Sequence, residues 1–213
     1  MKESYSQYGQ DIILNDRIFK NKKNGYFIDI GAYDGVCFSN TLLYEEKFDW
    51  NGICIEANPT TFKELKNNRK CECINKGVWE KNKIMKFWEM TGGQSMLGGF
   101  EESYDERHLY RIEEELKQYN QTKKVIEVEC ITFMDIVEQY KCPTIDFLSI
   151  DVEGSEEPIL KSIDYEKIDI KIIACENNYN SNELIEFYKT INFTFLGKIY
   201  TDDVFVNNKF LKN

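Results

Sequence analysis

Two short apolar runs, each ending in a glycine turn or an acid and each followed by a helix signal, constrain this chain more than any other feature. Residues 26–35, YFIDIGAYDG, read as a strand that breaks at Gly31, and residues 39–48 then read as a helix with Ser39 as its N-cap. Residues 52–57, GICIEA, give a second strand, and Asn58-Pro59-Thr60 opens a helix to about Asn68, proline being tolerated in a first turn. Strand, helix, strand, helix in such close succession calls for parallel strands, because only parallel neighbours need a helical crossover between them.

The alternation continues with one interruption. Residues 71–78 (CECINKGV) read as a third strand and 84–90 (IMKFWEM) as a fourth. Residues 91–100 then carry four glycines, and Leu109, Ile112, Leu116 and Tyr119 recur at helical spacing, so 91–122 reads as an insertion packed on the body. Its glycine pairs flank Ser95 and suit a lid that closes over substrate. Beyond it come a strand at 125–130, a helix at 132–140 and the buried-looking strand 144–152 (TIDFLSIDV). A helix at 155–163, a strand at 170–175, a helix at 181–190 and two β segments, 193–200 and 203–206, complete the chain. With a leading helix at 7–19, the expectation is a single α/β domain over 1–213. Its mostly parallel sheet has helices on both faces and a C-terminal antiparallel hairpin.

Composition narrows the partners. The 27 basic and 37 acidic side chains leave a net charge of −10, which opposes the phosphate neutralisation that nucleic-acid binding needs. No apolar run approaches the roughly 20 residues that span a bilayer, so neither nucleic acid nor membrane is an expected partner. The seven cysteines form no Cys-x-x-Cys pair and the only histidine is His108, so zinc-ribbon sites lack ligands. The opening MKESYSQYGQD lacks a secretory pattern, and reduced, core-packing thiols in a cytoplasmic setting are expected. A face buried in a homo-oligomer leaves no mark distinguishable from core, so self-association stays open.

Open α/β sheets bind ligands beyond the carboxyl ends of their strands. There the first strand offers Gly31-x-x-x-Gly35, not the Gly-x-Gly-x-x-Gly that admits a pyrophosphate. Asp29 and Asp34 would repel a diphosphate and suit a cation or an amino group, which makes Asp29 a candidate cofactor contact. Glu56, 25 residues after Gly31, ends the second strand, where a carboxylate accepts ribose hydroxyls. A ligand with a ribose, no phosphate and a cationic end fits, and S-adenosylmethionine has all three.

The segments SQYGQD (6–11), FIDIGAYDG with FSNT (27–41), GICIEANP (52–59), NKGVWE (75–80) and DFLSIDVEGSEEPIL (146–160) carry a family resemblance in order along the chain. The sequence resembles the FkbM-type methyltransferases, a branch of the class I S-adenosylmethionine-dependent enzymes. The resemblance implies a Rossmann-like seven-stranded sheet and O-methylation of a sugar, nucleotide-sugar, glycan or related small molecule. It also implies that Gly31, Ala32, Tyr33 and Gly35 lie against the methionine part of the cofactor. Glu56 would take the ribose, Ala57, Asn58, Gly77 and Val78 would flank the adenine, and Gln10 and Ser39 would meet the amino-carboxylate end. Departures from the family pattern concentrate between Thr91 and Gln121.

For the chemistry, Asp151 and Glu153 stand i and i+2, so the pleat aims them to one side if the strand persists that far. They are candidates for a general base, or for ligands of a divalent cation (Mg or Mn) with Glu176 at the next strand end as the third. An apolar strand should not end in an unpartnered carboxylate, which favours a role for Asp151. Glu156 and Glu157 read as first-turn acids complementing a helix dipole. Ser95, His108 and Glu176 are candidate contacts to the acceptor. Residues 63–86 hold eight basic and three acidic side chains, which would attract a phosphorylated acceptor if left unpaired. Two other readings compete: a nucleotide-cofactor oxidoreductase, disfavoured by the missing third glycine, and a non-catalytic module that keeps the cofactor fold.

Overall fold

The computed structural model describes residues 4–91, 95–104 and 106–211. A short helix, α1 (Gln10–Leu14), runs into a π-helical turn, Asn15–Phe19, ahead of the first strand, β1 (Tyr26–Ile30). Next come α2 (Leu42–Phe48), β2 (Asn51–Ile55), α3 (Pro59–Asn68) and β3 (Glu72–Ile74). An excursion follows through β4 (Gly77–Val78), β5 (Lys83–Thr91), β6 (Gly99–Phe100), α4 (Glu106–Gln118) and β7 (Thr122–Ile131). The chain then adds α5 (Phe133–Gln139), β8 (Ile145–Ile150), α6 (Glu156–Ser162), β9 (Ile170–Glu176), α7 (Glu183–Thr190), β10 (Phe193–Ile199) and β11 (Asp202–Asn207).

Seven strands form one sheet in the order β10-β11-β9-β8-β1-β2-β3. β1, β2, β3, β8 and β9 pair in parallel, and β11 runs antiparallel to both of its neighbours. The sheet is thus mixed, as the C-terminal hairpin required. Strand order reverses between β1 and β8, which opens a crevice at their carboxyl ends. Successive side chains of a strand point to opposite faces. Accordingly Ile28, Leu148 and Ile150 pack with Phe133, Ile159 and Leu160 on one face, and Phe27 and Phe147 pack with Leu14, Tyr44 and Leu65 on the other.

The excursion builds a second sheet, in the order β4-β7-β5-β6. β5 and β7 pair antiparallel from Lys83↔Cys130 to Thr91↔Thr122, so the expected strands at 84–90 and 125–130 join each other and not the main sheet. Helix α4 lays Ile112, with Leu109 and Leu116, against Trp88, Met90 and Leu97. The expected strand 71–78 is two strands in two sheets. Asn75 divides it: its Nδ2 donates to the carbonyls of Glu56 (2.8 Å) and Ala57 (3.3 Å), which turns the chain out of the main ladder. Much of the basic stretch 63–86 is paired: Arg69 meets Glu45 at 3.0 Å, Lys70 meets Glu46 at 2.7 Å, Lys83 meets Glu102 at 2.6 Å and Lys86 meets Glu101 at 3.8 Å. Among the described residues, no helix is long and apolar enough to cross a membrane.

The buried strand also stops early. β8 ends at Ile150, and Glu153 (φ +55°) and Gly154 (φ +108°) adopt left-handed backbone. Glu156 explains the turn, because its carboxylate accepts the N–H groups of Val152 (2.9 Å) and Gly154 (3.1 Å). A folded turn, not the pleat of a continuing strand, therefore sets the directions of Asp151 and Glu153.

Candidate active site

An open cleft of about 260 Å³ lies at the carboxyl ends of β1, β2, β8 and β9, with the excursion as its far wall. That is near the small end of ligand sites. Gln10, Asp29, Gly31, Ala32, Tyr33, Ser39, Glu56, Ala57, Asn58, Gly77 and Val78 all line it, as do Asp151, Glu153 and Glu176. Gly35 does not line it. Its position is required by packing, since a Cβ there would lie 2.6 Å from Arg69 Cγ, and its φ of +81° favours glycine. The side chains of Ser95 and His108 lie outside the described residues; neighbouring Met96, Leu97 and Gly98 line the cleft.

The turn after β1 is tied to the turn after β2 by one carboxylate. Glu56 Oε2 accepts from Tyr33 N (2.9 Å) and Oε1 from Asn58 N (2.7 Å). Burial pushes this carboxyl up to about 7, against the pull of those N–H groups, and Asp29 adds repulsion. Each oxygen keeps a second lone pair, so the group can still accept ligand hydroxyls. Gly31 has φ +82°, and a Cβ there would lie 1.8 Å from the Asp151 carbonyl, so the β1 and β8 turns close on each other only through glycine. Asn58 also caps α3, its Oδ1 accepting from Thr60 N at 2.8 Å.

The next part of the cleft suits a cationic group. Asp29 is buried and accepts from Thr41 Oγ1 at 2.6 Å; burial raises its pKa and the nearby Arg69 opposes that rise. Asp202 accepts from Gln10 Nε2 (3.4 Å) and Asn40 Nδ2 (3.3 Å), and burial raises it as well. Asn40 Oδ1 is buried and has no hydrogen-bond partner within the protein. An orphaned acceptor on a residue already bonded to Asp202 calls for a donor, and an amino group supplies one. The residues present therefore fit S-adenosylmethionine, with Glu56 for its ribose and Asp29, Asn40 and Asp202 for its amino end. Ser39 acts on the backbone, its Oγ accepting from Leu42 N (3.1 Å) at the start of α2.

At the far end, carboxylate oxygens of Asp151, Glu153 and Glu176 lie within 4.8 Å of one another. Asp151 is exposed to the open cleft, and the protein crowded around it first, then the charges of Glu176, Glu153, Glu156 and Asp202, push its pKa above the ordinary value. Burial pushes Glu176 up to about 8, with Glu153 and Glu156 adding repulsion, while a hydrogen bond with Asp151 pulls the other way. Arg111 from α4 reaches in, its guanidinium 3.5 Å from Glu153 and 3.0 Å from Glu115. This is a site that can take up and release a proton near neutrality and above.

Asn40, Ser149, Asp202 and Arg111 line the cleft and Arg69 braces it from behind, and sequence reasoning missed all five. Ser149 and Asp202 had a signal, each being a polar residue within or at the start of a buried strand. Arg69 and Arg111 had none, because their partners come from distant segments.

The parallel sheet with its reversal point and inserted antiparallel strand form a Rossmann-like α/β fold, and its cleft, with a ribose-type acid and a cation-suited end, suits S-adenosylmethionine. The sequence profile of the methyltransferase FkbM domain matches residues 29–199, and the chain belongs to that family. No curated protein matches the sequence. Among solved structures, a methyltransferase FkbM from Methylobacillus flagellatus KT is similar at a TM-score of 0.49 and 13% identity, over 87% of this chain and 44% of that one. TrmK of M. capricolum, bound to S-adenosyl-homocysteine, is similar at a TM-score of 0.46 and 9% identity, over 92% of this chain and 66% of that one. The chain thus spans less than half the length of the M. flagellatus protein.

Proposed function

We propose that the protein O-methylates a hydroxyl of a neutral sugar, glycan or related small molecule. The observation that carries this reading is the carboxylate group Asp151, Glu153 and Glu176, gathered within 4.8 Å in the same cleft as Glu56. A phosphorylated nucleotide-sugar is the weaker candidate, because this end of the cleft is acidic and the lysines Lys83 and Lys86 are paired. The seven free thiols suit a reducing compartment such as the cytoplasm.

S-adenosylmethionine, when bound, supplies an electrophilic methyl group. Glu56 holds the ribose side, Asn40, Asp29 and Asp202 the amino end, and Gly77 and Val78 wall the adenine. Asp151 takes the proton of the acceptor hydroxyl as general base, a contribution of about 10²- to 10⁴-fold. Glu176 shares a hydrogen bond with Asp151 and, once ionised above about pH 8, raises that carboxyl's pKa by its charge. Glu153 is held by Arg111, which brings a positive charge to the cluster without a metal.

The test is S-adenosylhomocysteine release over a panel of methyl glycosides, followed against pH. Asp151→Asn should lower kcat by about 10²- to 10⁴-fold. Glu176→Gln removes a negative neighbour, so Asp151 should ionise at lower pH and the rising limb of kcat should move down in pH. EDTA should leave the rate unchanged. A rate lost to EDTA and restored by Mn²⁺ would instead make Asp151, Glu153 and Glu176 the ligands of a divalent cation.

A further inference from the structure

The segment 6–11, SQYGQD, folds as a clasp beside the cleft. Asp11 is fully buried, with Oδ1 accepting from Ser6 Oγ (2.8 Å) and Ser4 Oγ (2.6 Å), and Oδ2 from Tyr5 N (2.8 Å). Ser6 bridges to Phe38, and Gln10 Oε1 accepts from Tyr8 N at 2.9 Å. None of these bonds uses the ring of Tyr8. That ring is 43% exposed and stacks on Tyr200, itself 65% exposed, with centroids 4.7 Å apart and planes 19° from parallel. Two tyrosines from opposite ends of the chain are thus held face to face in solvent, where their burial adds little to folding.

Their place points to a ligand. Gln7 and Thr201, the neighbours of Tyr8 and Tyr200, line the cleft, as does Phe38, which is 47% exposed. The Thr201 carbonyl accepts from Asn177 N at 2.9 Å, and Asp202 stands opposite Glu176 in the β11–β9 register. Neither ring lines the cleft, but their neighbours Gln7 and Thr201 do, so the stacked pair stands just outside it at the Asp202 and Glu176 end. A pyranose ring has a face of polarised C–H groups and an edge of hydroxyls. The negative face of an aromatic ring attracts the first, and carboxylates accept from the second.

We propose that the Tyr8–Tyr200 pair is a stacking platform for a sugar ring of the acceptor, set at the rim of the cleft beside Glu176 and Asp202. This rests on the methyltransferase reading above. It assigns the clasp a second task besides placing Gln10, namely completing the acceptor subsite with an aromatic surface.

The test is saturation-transfer NMR of the S-adenosylhomocysteine-loaded protein with methyl glucoside, methyl galactoside and methyl mannoside. The ring C–H protons of at least one glycoside should receive saturation from the protein. Tyr200→Ala and Tyr8→Ala should each weaken that glycoside's binding about 2- to 10-fold, the range expected of a lost aromatic contact. Tyr200→Phe should retain binding, and calorimetry should show S-adenosylhomocysteine affinity unchanged in all three variants. Both tyrosines are exposed, so the variants should fold. Equal glycoside binding in wild type and the alanine variants, no glycoside binding at all, or binding of p-nitrophenol with none of the glycosides would each overturn the platform while leaving the cofactor site standing. Failure of the wild type to bind S-adenosylhomocysteine would overturn the methyltransferase reading, and the platform with it.

Discussion

Arg69 shapes the cleft without lining it. Its side chain is fully buried, and its Nε donates to Glu45 Oε2 at 3.0 Å. One terminal nitrogen reaches the Gly35 carbonyl (3.2 Å) and Ser39 Oγ (3.3 Å), and the other reaches Thr41 Oγ1 (3.0 Å). The segment between β1 and α2 is thus fastened to the end of α3. Burial would raise Glu45, but Arg69 and the Lys70 N–H hold it below the ordinary carboxylate range. Removing one partner of such a pair strands the other charge, so Arg69→Leu should cost about 3–5 kcal/mol in denaturant unfolding. Glu45→Leu added to it should restore part of the loss, and no restoration would mean that Glu45 is not the stranded charge. At this scale Glu56 and Gly31 were legible in the sequence, because a strand end fixes where a side chain or a turn must stand. Arg69 was hidden among lysines, and only tertiary contact with Glu45 and Thr41 distinguishes it.

The second sheet is the element that sets the acceptor side of the cleft. Its core is Trp79, Met85, Phe87, Phe100 and Val128, with Ile112 of α4 fully buried against Trp88 and Met90. Truncating a buried isoleucine costs about 2–5 kcal/mol, so Ile112→Ala should loosen α4 and with it Arg111. Hydrogen exchange should quicken in α4, β5 and β7 while β1 and β8 stay protected, and uniform quickening in both sheets would show one cooperative unit. The strands and helices of the main sheet were legible because each apolar run has one period and a clear stop. The second sheet was not, because β5 and β7 are far apart in sequence and the run 71–78 looks continuous. A single side chain, Asn75, ends one strand there and frees the next for another sheet.

The molecule as a whole gathers acids at one end of its sheet. Burial first pushes Glu56 up to about 7 and Glu176 up to about 8 and also raises Asp29, Glu156 and Asp202, and crowding by protein and acids raises the exposed Asp151. These groups hold protons in the folded chain that the unfolded chain has already released. Their contribution is fully present below the ordinary carboxylate range and is lost as pH rises above it, through about 7 for Glu56 and about 8 for Glu176. Asp146 has the opposite sign. Burial opposes it, but Lys171 and Lys22 hold it low, so its contribution is lost in acid. Ligand-free protein should therefore be most stable near about pH 5 and lose stability steadily toward pH 9 by thermal unfolding. A melting temperature that rose over that interval would mean that the cleft acids are not strained. The central claim, a cofactor cleft organised by Glu56, is tested most directly by calorimetric titration with S-adenosylhomocysteine, with NAD as control. The account predicts binding of S-adenosylhomocysteine alone, weakened at least about 10-fold by Glu56→Ala, as expected for a lost charge-assisted hydrogen bond. Binding of NAD, or binding of S-adenosylhomocysteine that Glu56→Ala leaves unchanged, would contradict it.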